Sequence, residues 1–201
     1  MIPIVFCGDN NYIEYILVTM VSILENTHEK IKFYIIIDKN VQIKKIKKIK
    51  FKIKKYQNAE IEIIEINKKL TNKFKTNGHL ISSAYYRIFI PKYVKENKVI
   101  YLDGDLIVLK NIKKLYNIDI NNYIIGAVES PTHIIDKKEN LKKHKELNIP
   151  LKYKYFNSGV LLINCKRYRF ENIELKLKRY IIKNPEKLKL CDQDALNAVL
   201  Y

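Results

Sequence analysis

The chain has 201 residues, 47% hydrophobic and 29% charged, a balance that suits one globular domain with an apolar core and excludes a disordered segment. Its net charge is +17, but arginine occurs only at Arg87, Arg167, Arg169 and Arg179, and lysine supplies the rest of the positive charge. Sequence-reading nucleic-acid binders lean on arginine for bidentate base contacts, so the excess reads as a lysine-coated surface and argues against nucleic acid as a partner.

The predicted elements begin with a short apolar strand, Ile2 to Cys7, and a polar turn, Gly8-Asp9-Asn10-Asn11. Helical spacing of Ile16, Met20 and Ile23 predicts a helix from Tyr12 to Glu25, with Asn10 or Asn11 as its cap. A second strand is expected at Phe33 to Ile37, ending at Asp38. Gln42 to Tyr56 reads as a helix whose stripe is Ile43, Ile46, Ile49, Ile53 and Tyr56. Lysines 44, 45, 47, 48, 50, 52, 54 and 55 form its solvated face, with attraction to anionic lipid as a second use. Glu60 to Ile66 alternates as a third strand.

That order predicts parallel βαβ units in an α/β sheet, with ligands bound beyond the carboxyl ends of the strands. Thr71 to His79 reads as a polar, mobile loop, and Ser82 or Ser83 as the cap of a short helix stopped at Pro91. Lys98 to Leu102 is the next strand, and Asp103-Gly104-Asp105 follows directly, ahead of a second buried-looking run, Leu106 to Leu109. Carboxylates two residues apart on a regular strand point to opposite faces; to converge they need a turn, which Gly104 makes cheap. Two convergent carboxylates at a strand end suit a hard cation such as Mg2+ or Mn2+ bridged to phosphates. Ile124 to Val128 is a further strand, and Glu129 to Lys154 reads as a polar excursion outside the core. Tyr155 to Asn164 is apolar but for Asn157-Ser158-Gly159; a helix is expected over Ile173 to Ile182, and a last one from Ala195 to Leu200.

Several constellations carry a chemical and a purely structural reading side by side. Asp9-Asn10-Asn11-Tyr12 could hold a base or ribose, or cap a helix. Arg87, beside Tyr85 and Tyr86 in a lysine-preferring chain, could pair a site carboxylate in bidentate fashion or be a surface cation. Asn157-Ser158-Gly159 could present an amide to a polar ligand, with Gly159 allowing close approach, or form a β-bulge. Asp192-Gln193-Asp194 could cap the last helix, with Asp194 doing so while Asp192 and Gln193 face a cleft. His28, His79, His133 and His144 are scattered; His79 could approach the site.

Cys7, Cys165 and Cys191 are odd in number and widely spaced, which argues for free thiols in a reducing compartment and against a disulfide framework or zinc site. Met1 to Cys7 lacks a basic signal-peptide region and no run is long enough to span a bilayer, so a cytoplasmic protein is expected.

Five stretches in order resemble glycosyltransferase family 8. They are Ile4 to Tyr12, Ser83 to Arg87, Val99 to Asp105, Tyr155 to Asn164 and Asp192 to Asn197. The resemblance implies a GT-A (Rossmann-like) fold, a mixed and mainly parallel sheet flanked by helices, in a single domain over residues 1–201. It implies retaining transfer of galactose or glucose from UDP-galactose or UDP-glucose to a glycan acceptor such as a bacterial lipopolysaccharide, with Mn2+ or Mg2+. Cys7, Asp9, Asn11 and Tyr12 match uridine-holding positions; Asp103 and Asp105 match the metal pair, with Asp103 and Gly104 near the nucleotide. Arg87, Asn157, Asp192 and Gln193 match residues around the donor sugar, the last three as the catalytic set. The family's third metal ligand, a downstream histidine, would lie beyond Tyr201, so the resemblance implies a C-terminally truncated chain with weakened metal and donor binding. A non-catalytic member that binds UDP-sugar without turnover is the alternative, and peripheral association with the inner face of an anionic membrane is a further expectation.

Overall fold

The computed structural model describes residues 1–76 and 82–201, with backbone alone at 132 and 133. Strands β1 (Ile2–Gly8), β2 (Ile31–Ile37) and β3 (Ala59–Glu65) are joined by helices α1 (Ile13–Asn26) and α2 (Ile43–Ile53), the expected βαβαβ order. A 3-10 helix over Ser82–Phe89 runs into α3 (Ile90–Tyr93), followed by β4 (Lys98–Leu102), α4 (Lys113–Tyr116) and β5 (Ile125–Glu129). Then come α5 (Pro131–Ile135), α6 (Lys137–Leu147), β6 (Phe156–Asn164), α7 (Cys165–Phe170), α8 (Ile173–Lys183) and α9 (Asp192–Leu200).

The six strands form one sheet in the order β3-β2-β1-β4-β6-β5. β1 pairs in parallel with β2 and β4, β2 with β3, and only β6 runs against its neighbours. The chain thus winds outward from β1 to β3 and restarts on the other side at β4, which opens a crevice where the carboxyl ends of β1 and β4 diverge. Alternation along β1 sorts its side chains between two cores. Ile4 and Phe6 pack with Ile16, Met20 and Phe33 under α1, while Val5 and Cys7 pack with Ile36, Tyr101 and Leu196 on the opposite face.

The structure departs from the expected elements at specific places. Neither Asn10 nor Asn11 caps α1; Asp9 Oδ1 accepts the backbone N–H groups of Asn11 (2.8 Å) and Tyr12 (3.4 Å) instead. Pro91 does not stop a helix but sits in the first turn of α3, where its missing N–H costs nothing. Ile43, at the exposed end of α2, is 73% exposed and outside the buried stripe, which Ile49 and Ile53 anchor. The run 106–109 is no strand: Ile107 and Leu109 point outward, and the backbone is tied to α1 through Thr19, Ser22 and Asn26. Residues 129–154 are not a polar excursion outside the core. They contribute α5 and α6, and α6 buries Lys143, His144 and Leu147. The segment from Asn77 to Ile81, with His79 and part of the expected polar loop, lies outside the described residues. No helix among the described residues is long and apolar enough to cross a membrane.

Candidate active site

The crevice at the carboxyl ends of β1 and β4 holds a cavity of about 140 Å³ lined by Cys7, Gly8, Tyr12, Ser83, Ala84, Arg87, Tyr101, Asp103, Gly104 and Asp105. Three of the five sequence stretches meet there. β1 delivers Cys7 and Gly8, whose hypothetical Cβ would lie 2.9 Å from Ile16 Cδ1, so the turn into α1 packs closely. Burial pushes the Cys7 thiol up, which leaves it an uncharged wall. Tyr12 stands 40% exposed at the rim, its ring 6.0 Å from that of Tyr15. Asp9 and Asn11 border this turn outside the cavity wall, with Asp9 partly committed to the backbone.

β4 ends at Leu102, and Asp103 and Asp105 both reach the cavity across the turn at Gly104. The turn uses no left-handed backbone at Gly104; the glycine is needed for room, because a Cβ there would stand 2.6 Å from Ile16 Cγ1. Thr19 Oγ1, on α1, holds the turn at 2.6 Å from the Gly104 carbonyl oxygen.

Arg87 organises the floor. The 3-10 helix brings its guanidinium over the Tyr101 ring, 4.6 Å from the centroid, with 9% of the side chain exposed. Nη2 lies 3.0 Å from Asp103 Oδ1 and Nε 3.0 Å from Asp192 Oδ2. Nη1 donates to the Ser158 carbonyl at 2.7 Å, and Tyr101 donates its hydroxyl to Asp103 Oδ1 at 2.6 Å. Arg87 does pair with site carboxylates, but not in bidentate fashion: it makes one contact to each of two acids from remote parts of the chain.

On the far side, α9 starts at Asp192, three residues earlier than its apolar pattern suggested. Cys191, just before it, has φ 48° and ψ −113°, a strained conformation for a side-chain-bearing residue that turns Asp192 and Gln193 toward β6. Asp192 is buried, and burial raises its carboxyl to about 6 despite the opposing Arg87 cation. Ser158 Oγ donates to Asp192 Oδ2 at 3.1 Å, and Ser158 N–H donates to Gln193 Oε1 at 3.0 Å. Asn197 completes the join by exchanging hydrogen bonds with the backbone of Phe156, both at 2.8 Å.

Asn157-Ser158-Gly159 is both a bulge and a site element. The β6 partner of β5 jumps from Leu161, opposite Ala127, to Asn157, opposite Val128. Within this irregularity, the exposed Asn157 accepts the Gly159 N–H at 2.8 Å, and a Cβ on Gly159 would stand 2.6 Å from Asp103 Oδ2. Asp194 does not cap α9; it is fully buried, accepts the Leu190 N–H at 2.7 Å and pairs with Lys143 at 2.8 Å. Sequence reading missed Tyr101, Ser158, Tyr155, Lys143 and Asn197 as members of this network. Only the clustering of polar residues in an apolar run hinted at Ser158.

Residues 3–201 match the protein family described as glycosyl transferase family 8. The chain belongs to glycosyl transferase family 8. It is 35% identical to General stress protein A of Bacillus subtilis over 205 residues, covering 98% of this chain and 68% of that protein. Glycosyltransferase GlyF of Streptococcus pneumoniae is 27% identical over 194 residues, or 96% of this chain and 44% of GlyF. The fold superposes with a TM-score of 0.89 and 25% identity on galactosyltransferase LgtC, solved in complex with donor and acceptor sugar analogs, over 99% of this chain and 70% of LgtC. The mixed sheet with its single reversed strand is thus the GT-A fold of LgtC. This family 8 chain is one of a group of enzymes that transfer sugars.

Family 8 enzymes with this fold use nucleotide-sugar donors and a divalent metal. Among the described residues no cluster of three or more His, Cys, Asp or Glu side chains is arranged to hold an ion. The donor set that is present still fits a hard cation. Asp103 Oδ1 is occupied by Arg87 and Tyr101, but Oδ2 lies on the Gly159 side, and Asp105 is exposed with no ion pair among the described residues. One or two carboxylates plus substrate phosphates make a usual Mg2+-type set, which completes itself only when the donor binds.

Proposed function

We propose that this cleft binds a UDP-sugar and transfers its hexose, galactose or glucose, to an acceptor hydroxyl on a glycan with retention of anomeric configuration. The observation that carries the proposal is Arg87, which links Asp103 on the nucleotide side to Asp192 on the sugar side through two 3.0 Å contacts. Cys7, Gly8 and Tyr12 form the uridine end, with Asp9 and Asn11 at its rim. Asp103 and Asp105 would hold Mn2+ or Mg2+, which supplies charge neutralisation to the departing diphosphate.

Asn157, Asp192 and Gln193 surround the proposed sugar position. The Asp192 carboxylate opposes positive charge developing at the anomeric carbon, and the Gln193 amide orients the ring. An amide is a poor nucleophile, so the acceptor oxygen attacks from the face the diphosphate leaves. The anomeric carbon–phosphate oxygen bond breaks, the new glycosidic bond forms, and the departing phosphate takes the acceptor's proton. We further infer that the chain works against an anionic cytoplasmic membrane face, where lipopolysaccharide-type acceptors would be met. Phe51, 75% exposed on α2 amid its lysines, supports that docking, and three buried cysteines outside any disulfide support a reducing compartment. A screen of UDP-sugars for Mn2+-dependent UDP release tests the activity; a Gln193→Ala variant with wild-type turnover and stereochemistry would remove Gln193 from the reaction.

A further inference from the structure

The buried polar cluster behind the cleft has a chemistry of its own. Lys143 of α6 and Asp194 of α9, 51 residues apart, form an ion pair with side chains only 4% and 0% exposed, and Nζ lies 2.8 Å from both carboxylate oxygens. Tyr155 donates its hydroxyl to Asp194 Oδ1 at 2.6 Å. Gln193 Nε2 in turn donates to the Tyr155 hydroxyl oxygen at 3.2 Å, while Gln193 Oε1 accepts the Ser158 N–H at 3.0 Å.

We propose that Lys143, through Asp194 and Tyr155, is a positioning residue that fixes which end of the Gln193 amide faces the donor sugar. Hydrogen-bond polarity sets the amide. An ionised carboxylate only accepts, so the Tyr155 proton is committed to Asp194. The hydroxyl oxygen can then only accept from its other neighbour, and the Gln193 NH2 must turn toward it. The amide oxygen is thereby sent to the Ser158 N–H, which also demands an acceptor. Without the carboxylate charge, Tyr155 could donate to Oε1 instead, and only the Ser158 N–H would still select the observed orientation. A buried ion pair adds little stability over a well-packed apolar pair, so orientation is the better account of its presence.

This inference rests on the proposed role of Gln193, so its test includes a readout independent of turnover. Two variants isolate the chain of contacts. Tyr155→Phe removes one hydroxyl, and Lys143→Met with Asp194→Leu replaces the ion pair by apolar groups without stranding a charge. Both should fold, the double variant with a lowered melting temperature because the Leu190 N–H and the Tyr155 hydroxyl lose their acceptor. In each, kcat for UDP release should fall about tenfold with KM unchanged, the signature of lost orientation and not of lost binding. The Gln193 side-chain amide, followed by 15N-edited NMR, should keep distinct NOE contacts to the Tyr155 ring in the wild type and lose them in the double variant. Unchanged amide contacts in the folded double variant would overturn the inference, whether or not the chain turns over. Unchanged kcat in both folded variants of an active chain would do the same. A wild-type chain with no UDP release, but with NMR contacts that respond as stated, would instead sink the proposed reaction and leave the positioning network standing.

Discussion

Arg87 and Asp192 lie 105 positions apart in the chain, and the guanidinium Nε meets the carboxylate Oδ2 at 3.0 Å with both side chains under 10% exposed. The same guanidinium reaches Asp103 at 3.0 Å, so one cation neutralises two carboxylates that would otherwise repel across the cleft. Arg87→Met should destabilise the fold by about 3–5 kcal/mol, because it strands a buried charge on Asp192. Arg87→Lys should recover part of this yet lose the fork that spans both acids. Chemical denaturation of the two variants checks the ranking.

Asp192 should give the cleft a distinctive pH response. Its carboxyl is raised to about 6 in the fold from 3.8, chiefly by burial. Between those values the unfolded chain has already lost the proton that the folded chain keeps. This group's contribution to stability is therefore complete below about pH 3.8 and falls as pH rises through about 6. The difference in unfolding free energy between wild type and Asp192→Asn should show that slope between pH 4 and 7. Turnover, which needs the ionised form, should rise with a midpoint near pH 6 and lose that limb in the variant.

Gly159→Ala tests the close approach of the β6 bulge to the proposed metal pair. The new Cβ would meet Asp103 Oδ2 at 2.6 Å and Asn157 Oδ1 at 3.0 Å, so the Asp103 carboxylate must shift. The expected result is a fold weakened by only about 1–3 kcal/mol and Mn2+-dependent UDP binding reduced at least tenfold. Calorimetric titration of UDP with and without Mn2+ measures this directly.

Phe51→Ser should leave the cleft untouched and weaken sedimentation with phosphatidylglycerol vesicles several-fold, while binding to neutral vesicles stays weak in both forms. Equal sedimentation of wild type and variant would remove α2 from the proposed membrane contact.

The frame of the molecule was readable because strand alternation and βαβ order are local signals. Val5 and Cys7 against Ile4 and Phe6 is a period of two that any burial argument finds. Asp103 and Asp105 were visible by their place after an apolar strand, and Arg87 by its rarity. Gly104 does lie in the expected turn, but the need for glycine there is room for Ile16 on α1, a tertiary demand that sequence does not show. Lys143 was invisible for a different reason. In a lysine-coated chain, a lysine on a weakly apolar helix carries no mark that its partner waits 51 residues away. Asp194 was mistaken for a cap because its neighbours do occupy a helix start, and only the packing of α6 reveals its other use.

The central claim is that the Asp103–Arg87–Asp192 array binds and activates a UDP-sugar. Its most direct test is Mn2+-dependent UDP release from UDP-galactose and UDP-glucose by the wild-type chain, by Asp103→Asn and by Asp192→Asn. The expected result is release by the wild type from at least one donor, lost on chelation of the metal, and a fall of at least about a hundredfold in both variants. Equal release by wild type and variants, or none from any UDP-sugar with Mn2+ present, would contradict it.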